Sequence, residues 1–227
     1  MSRTEHGPTR IAASLWSVPV AEQEARATQL AAAGLRRWHW DHSDGTLGAA
    51  GGFTPQRAAR LNALTGLPGE AHLMVADPVA AVPEWAAVCD TIIVHIEATG
   101  HEVAVELIRG AGRTAVLAVS PDTPLPALES YPDDVGILVM AVEPGQAGST
   151  FRSGTLARLR ALRGRELLGV DGSVNEERAR ACVANGATWV ISGTDLCTSH
   201  DPAAWIADLD LPHIDEPPPL RGAHSCP

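Results

Sequence analysis

Eight short apolar runs, each followed by a longer Ala- and Arg-rich stretch, recur at even spacing along the 227 residues. The β-type runs are IAASLW (11–16), RRWHWD (36–41), EAHLMV (70–75), TIIVHI (91–96), TAVLAV (114–119), GILVMAV (136–142), ELLGVD (166–171) and TWVISG (188–193). In the segments between and after them (20–34, 53–66, 77–88, 101–112, 123–131, 149–164, 175–186 and 201–209) apolar residues recur at helical spacing, and Gly34 suits a C-cap. Eight strand–helix pairs of similar length predict an α/β chain closed into one parallel (β/α)8 barrel over residues 10–211. A doubly wound open sheet is the alternative. Residues 1–9 and the Pro-rich, polar tail 212–227 are expected to be disordered.

In such a barrel the chemistry sits at the C-terminal ends of the strands. The second strand ends His39-Trp40-Asp41. Strand side chains alternate, so His39 and Asp41 point one way and Trp40 the other. An indole suits the outer helix layer, which leaves His39 and Asp41 in the lumen. His72 lies on the third strand and Asp171 ends the seventh. A lone histidine at a strand end is more often a polar residue with a local partner. Two imidazoles and two carboxylates, all at strand ends, shift the balance toward a site for one divalent metal such as Zn, Fe, Mn or Co. His95 and Glu97, two residues apart, either orient a ligand from behind or form an ion pair on the rim, and the rim reading is favoured. His42 and Asp44 lie beyond the strand end, with Asp44-Gly45 an ordinary turn pair.

Three Gly-containing turns come late: GQAGST (145–150), DGS (171–173) and SGT (192–194). Each joins a strand to a helix, where backbone N–H groups hold phosphate in barrels of this kind. The turns around Gly148, Gly172-Ser173 and Gly193-Thr194 are expected to do so without a cationic side chain, because no Arg falls in them. The chain contains no lysine; all 17 basic residues are arginine. Schiff-base aldolases, pyridoxal-phosphate enzymes and GxxxxGK[ST] nucleotide loops are excluded with it. A formal net charge of −10 argues against nucleic acid. No apolar run reaches the roughly 20 residues of a bilayer span, and no secretion signal opens the chain, so a cytoplasmic protein with free thiols is expected.

These pieces, taken in order, resemble the ribulose-phosphate 3-epimerase family over about residues 10–195. IAASLWS resembles the opening strand with its active-site serine, here Ser14. WHWDHSDG resembles H-x-D-x-x-D-G, HLMV (72–75) matches unchanged, and VHIEA (94–98) resembles the H-x-E segment. MAVEPGQAG (140–148) resembles the M-x-V-x-P-G-x-x-G loop, VDGS (170–173) resembles V-D-G-G, and SGT the closing phosphate turn. The resemblance implies a TIM barrel of the ribulose-phosphate-binding type, an isomerase of carbohydrate (pentose phosphate) metabolism, and a likeness in oligomeric state to relatives that form dimers or hexamers. It implies one divalent metal on His39, Asp41, His72 and Asp171. Asp41 and Asp171 would be the acid–base pair that inverts C3 of a ketose phosphate through a cis-enediolate stabilised by the metal. Ser14, His72, Met74, Met140, Gly145, Gly148, Gly172, Ser173, Gly193 and Thr194 would bind the substrate.

The chain departs from the family pattern in the cover over the site. His42-Ser43 stands where an apolar-Met pair is usual, Thr46-Leu47-Gly48-Ala49-Ala50 where H-F-V-P-N is usual, and Ala13 where Pro precedes the serine. A smaller cover leaves room for a six-carbon ketose phosphate beside a five-carbon one. VDGS also occurs in the branch that epimerises allulose 6-phosphate. Ribulose 5-phosphate is the leading substrate, allulose 6-phosphate the second. A barrel that has lost catalysis and binds a sugar phosphate or a protein is the alternative from another class.

Overall fold

The computed structural model describes residues 11–128, 130–144 and 150–209. Eight parallel strands form the barrel: β1 (Ile11–Ser14), β2 (Trp38–Ser43), β4 (Gly69–Met74), β5 (Thr91–His95), β6 (Thr114–Val119), β7 (Gly136–Met140), β8 (Leu168–Asp171) and β9 (Trp189–Ser192). Each pairs with its neighbours, and β1 pairs with both β2 and β9, which closes the ring. The (β/α)8 reading therefore holds, and the open sheet is discarded. A two-residue arm, β3 (Gly51–Gly52), folds back antiparallel on His42 and Ser43.

The helices are α1 (Gln23–Ala32), α2 (Pro55–Thr65), α3 (Pro78–Ala86), α4 (His101–Gly110), α5 (Thr155–Ala161), α6 (Glu176–Ala184), α7 (Thr194–Thr198) and α8 (Pro202–Leu209). Local chemistry starts and stops them. Thr54 caps α2 by accepting from the Arg57 N–H, Pro55 takes the first position where no donor is needed, and Gly66 ends it at φ 69°. Asp77 and Asn175 cap α3 and α6 in the same way. The helix expected over 123–131 is instead a single 3-10 turn, Leu125–Leu128. Pro126 in its middle has no N–H to donate and disfavours helical geometry at the residue before it. The short helix α7 between β9 and α8 carries no separate sequence signal.

Two apolar layers position the site. Between strands and helices lie Trp38, Trp40, Leu61, Trp85, Ile92 and Leu117, all buried. Trp40 reaches α2, where its Nε1 donates to Asn62 Oδ1 at 3.0 Å, and it stacks on Trp38 at 5.5 Å. Inside the lumen Ala12, Ile93, Val116, Leu138, Trp189 and Ile191 form a second cluster. Trp189 fits there because Gly169 leaves space: a Cβ at Gly169 would lie 2.4 Å from Trp189 Cε2. The lower lumen is thus packed solid, as in other barrels of this type, and polar side chains collect above it. Among the described residues, Cys89, Cys182 and Cys197 are free and buried, and no helix is long and apolar enough to cross a membrane.

Candidate metal and sugar-phosphate site

Alternation along β2 does what the sequence implies. Trp38, Trp40 and His42 face the helices; His39 and Asp41 face the lumen. His42 lies within the strand rather than beyond it, and its Nδ1 meets the Phe53 carbonyl oxygen at 2.9 Å beside the Trp85 ring. It is not part of the site. Asp44 is the expected turn residue, accepting from the N–H groups of Thr46 and Ala76 at 2.8 Å each.

His39, Asp41, His72 and Asp171 converge, with one nitrogen or oxygen from each lying within 4.8 Å of all the others. His39 Nε2 is 3.2 Å from His72 Nδ1 and 3.3 Å from Asp41 Oδ1. His72 Nδ1 is 3.2 Å from Asp41 Oδ1 and 3.8 Å from Asp171 Oδ2. A tetrahedron built on metal–ligand bonds of roughly 2.0–2.1 Å has edges of about 3.3–3.4 Å. His39 Nε2, His72 Nδ1 and Asp41 Oδ1 stand at about that spacing from one another, and Asp171 Oδ2 lies somewhat farther from His72. Ser14 Oγ donates to the other Asp41 oxygen, Oδ2, at 2.6 Å, leaving Oδ1 to face the cluster.

The two imidazoles are themselves held from behind. Glu70, on the same lumen-facing side of β4 as His72, places Oε1 2.7 Å from His39 Nδ1, and both side chains are buried. On the other side His95 stacks on His72 with Nε2 to Nε2 at 2.9 Å, and His95 Nδ1 meets Glu97 Oε2 at 3.2 Å. A glutamate at each end fixes the proton positions for a metal-competent state. His39 donates from Nδ1 to Glu70, and its Nε2 lone pair points at the cluster. His95 donates from Nδ1 to Glu97 and accepts from His72 Nε2, so the His72 Nδ1 lone pair points there too. The rim reading of His95 and Glu97 is thereby overturned: His95 is wholly buried beneath the site. Glu97 also accepts from the Ser120 N–H and the Thr123 hydroxyl.

Without a metal these groups share charge among themselves. Burial pushes the His39 imidazole toward neutrality, but Asp41 and Glu70 outweigh it and hold its pKa well above the ordinary value. Burial likewise opposes ionisation of Asp41, yet His39 and then His72 hold its carboxyl far below the usual range. Asp171 is raised, first by burial and further by the negative Asp41. His95 is lowered by burial, with His72 adding to the effect. Two carboxylates are therefore pushed apart in proton affinity across one small space, a pattern typical of acid–base pairs.

A cavity of about 390 Å³ opens above the cluster. Ser14, Asp41, Met74, Met140 and Asp171 line its floor, with Gly172, Ser173, Gly193 and Thr194 along one wall. Gly172 sits at φ 109°, where a Cβ would come 2.6 Å from Val142 Cγ2, and Ser173 takes a left-handed φ of 51°. The 145–149 turn, with Gly145 and Gly148, lies outside the described residues. Sequence reasoning missed Trp16, which lines the cavity against the Gly51 backbone. It also missed Arg178, a cationic side chain on a wall expected to have none.

Comparison with known proteins bears on the family and on the fold. The model of the ribulose-phosphate 3 epimerase family matches residues 10–197. Similar proteins include ribulose-phosphate 3-epimerases from Mycobacterium tuberculosis (strain ATCC 25618 / H37Rv), 35% identical over 159 residues, 66% of this chain and 69% of the relative, and from Chlamydia muridarum, 32% identical over 196 residues, 81% and 86%. Among solved structures, 3-hexulose-6-phosphate synthase from Salmonella typhimurium superposes with a TM-score of 0.68 at 13% identity, covering 88% of this chain and 96% of that one. Tryptophan synthase from Mycobacterium tuberculosis gives 0.63 at 15% identity, covering 89% and 91%. At such identities these two likenesses speak for the barrel alone.

Proposed function

We propose, from the premise that the chain belongs to the ribulose-phosphate 3-epimerase family, that it inverts C3 of a ketose phosphate, D-ribulose 5-phosphate first, using one divalent metal and a pair of aspartates. The observation that carries this reading is the convergence of His39, Asp41, His72 and Asp171, with one donor atom from each within 4.8 Å of all the others, beside a cavity that Asp41 and Asp171 line. Two carboxylates and two imidazoles form a donor set that suits Zn, Fe, Mn or Co. When bound, the cation supplies positive charge where negative charge develops on the C2 oxygen during proton removal at C3.

The remaining chemistry belongs to the chain. The substrate C3 lies between Asp41 on β2 and Asp171 on β8. One carboxylate removes the C3 proton as general base, leaving an enediolate, and the other delivers a proton to the opposite face. The raised proton affinity of Asp171 beside the lowered one of Asp41 suits a site in which one carboxyl carries the proton while its partner does not. In the reverse direction the roles exchange. Met74 and Met140 give the intermediate an apolar, proton-poor wall. The Gly172-Ser173 and Gly193-Thr194 turns receive the phosphate, and the same role is assigned to Gly145 and Gly148. Trp16 lines the cavity beside the Gly51–Gly52 arm, and its bulk favours five carbons over six. Residues 10–211 then form one catalytic domain, working in the cytoplasm as a homo-oligomer, whose size light scattering measures.

Solvent-deuterium incorporation at C3 tests the reaction. Metal-loaded protein is expected to exchange C3 of ribulose 5-phosphate, with a higher kcat/KM than for allulose 6-phosphate, and to stop when chelated. No exchange with any ketose phosphate at full metal loading rules the reaction out and leaves a sugar-phosphate-binding barrel.

A further inference from the structure

The α6 end of the cavity differs from a simple helix N-terminal anion site. Of the first N–H groups of α6, that of Glu176 is taken by Asp195 Oδ2 at 3.3 Å and that of Arg178 by the Asn175 side chain at 2.9 Å. These donors already have acceptors, one of them a carboxylate. Asp195 itself lines the cavity and is held there by Trp205 Nε1 at 2.9 Å. A dianionic phosphate arriving at this wall meets a resident negative charge and a partly committed set of backbone donors. Something must offset that charge if a phosphate is to bind well.

The side chain in position to do so is Arg178. It lines the same cavity as Gly172, Ser173, Gly193 and Thr194. Side chains in the first turn of a helix lean back toward its N-terminus, so an arginine three residues into α6 returns to the turn before it. There Nη1 donates to the Ser173 carbonyl oxygen at 2.7 Å, and the guanidinium lies over the Phe151 ring at 5.3 Å. One N–H and one face of the group are thus anchored. Among the described residues no carboxylate forms a salt bridge with it. A guanidinium has five N–H donors in a rigid fork that matches phosphate oxygens. Anchored in this way, it loses little freedom when an anion arrives.

We infer that Arg178 is the cation that reads the phosphate end of the substrate, a specificity-determining residue that separates phosphorylated from unphosphorylated ketoses. The inference rests on the sugar-phosphate reading of the cavity, but its probe does not require turnover. Inorganic phosphate is titrated into the full-length protein, both metal-loaded and chelated, so that phosphate held by the metal is not counted. Wild-type protein is expected to bind phosphate in both states. Arg178→Gln should weaken that binding on the order of 10- to 100-fold, the range for a charge-assisted hydrogen bond, and Arg178→Lys should recover part of it. The ratio of kcat/KM for a ketose phosphate over the free ketose should fall by a similar factor in the Gln variant. Should that variant fail to fold, an arginine-directed dicarbonyl reagent on the wild type gives the answer, since phosphate should protect Arg178 from modification.

Unchanged phosphate affinity in Arg178→Gln overturns the inference. So does an equal loss on phosphorylated and free ketoses, which marks a merely structural role in holding Ser173, and so does absence of protection. Arg178-dependent phosphate binding without turnover of any ketose phosphate upholds this anion site and removes the epimerase reading. Epimerase turnover with phosphate binding indifferent to Arg178 does the reverse.

Discussion

Replacing Glu70 with Gln isolates the contribution of a single buried charge to metal affinity. The carboxylate sits 2.7 Å from His39 Nδ1, and neither side chain meets solvent appreciably. Gln is nearly isosteric, and its carbonyl oxygen can still accept from Nδ1–H, so the ring keeps its orientation. What disappears is the negative charge that makes His39 Nε2 a better donor toward a cation. Outer partners of this kind are worth about 10- to 100-fold in metal affinity, or about 1.4–2.7 kcal/mol. A second effect runs the other way. In the metal-free protein Glu70 helps Asp41 hold a proton on His39, and that proton must leave before a metal binds. Removing Glu70 loosens the proton as well as the metal. At pH 7 the two effects partly cancel, and the loss should lie near 10-fold. As pH rises and proton competition fades, the loss should grow toward 100-fold. Competition with a chromogenic chelator between pH 7 and pH 9 measures both. An affinity within twofold of wild type across that range, in a folded variant, refutes the claim that Glu70 tunes the ligand.

Asp41→Asn and Asp171→Asn should each cost on the order of 10²- to 10⁴-fold in turnover, with metal content measured on the same samples; full metal and near-normal turnover in the Asp171 variant removes it from the proton transfer. Glu97 is opposed in ionisation by burial but held down to about 2, against an ordinary 4.5, by hydrogen bonds from His95, Thr123 and the Ser120 N–H. Its ionised form therefore stabilises the fold fully above about pH 4.5, and that contribution is lost as pH falls through 2. Urea midpoints of chelated wild type and Glu97→Gln should converge as the pH drops below 4.5, and a gap that widens instead contradicts the sign. Gly169→Ala drives a methyl into Trp189 and should cost about 1–3 kcal/mol, lowering the melting temperature by roughly 2–12 °C in a chain of this size; an unchanged melting point means the lumen packing is looser than described.

Much of the fold was legible because two periodicities, 2 and 3.6, each bury one face of an element. WHWD is the clearest case: large apolar residues at 38 and 40 demand the helix layer, and so place 39 and 41 in the lumen. His72 and Asp171 follow from the same rule at the ends of β4 and β8. Attention to strand ends alone passes over Glu70, because it lies two residues below His72, although that spacing is the signal that would reveal it. His95 escaped for a related reason. Taken as a pair with Glu97 it looks like a rim contact, whereas its alternation with the buried Ile93 turns it inward. Arg178 was invisible to a search confined to turns, since its backbone is helical and only its side chain returns. Gly51-Gly52 has no strand propensity at all, and its pairing with His42 and Ser43 is set by tertiary structure.

The stacked Trp38 and Trp40 have a bearing on any attempt to retool this barrel. A one-residue slip of β2 would bring two indoles into a lumen already filled from below by Trp189 and thrust two polar ligands among the helices. Such a slip would forfeit the fold along with the chemistry, so the reactive pair on this strand is inherited as one block with the core behind it. Libraries that seek new reactions will therefore lose most of their members if they randomise 38–41. Diversity is better placed on the wall of the cavity away from the strand register, at Arg178.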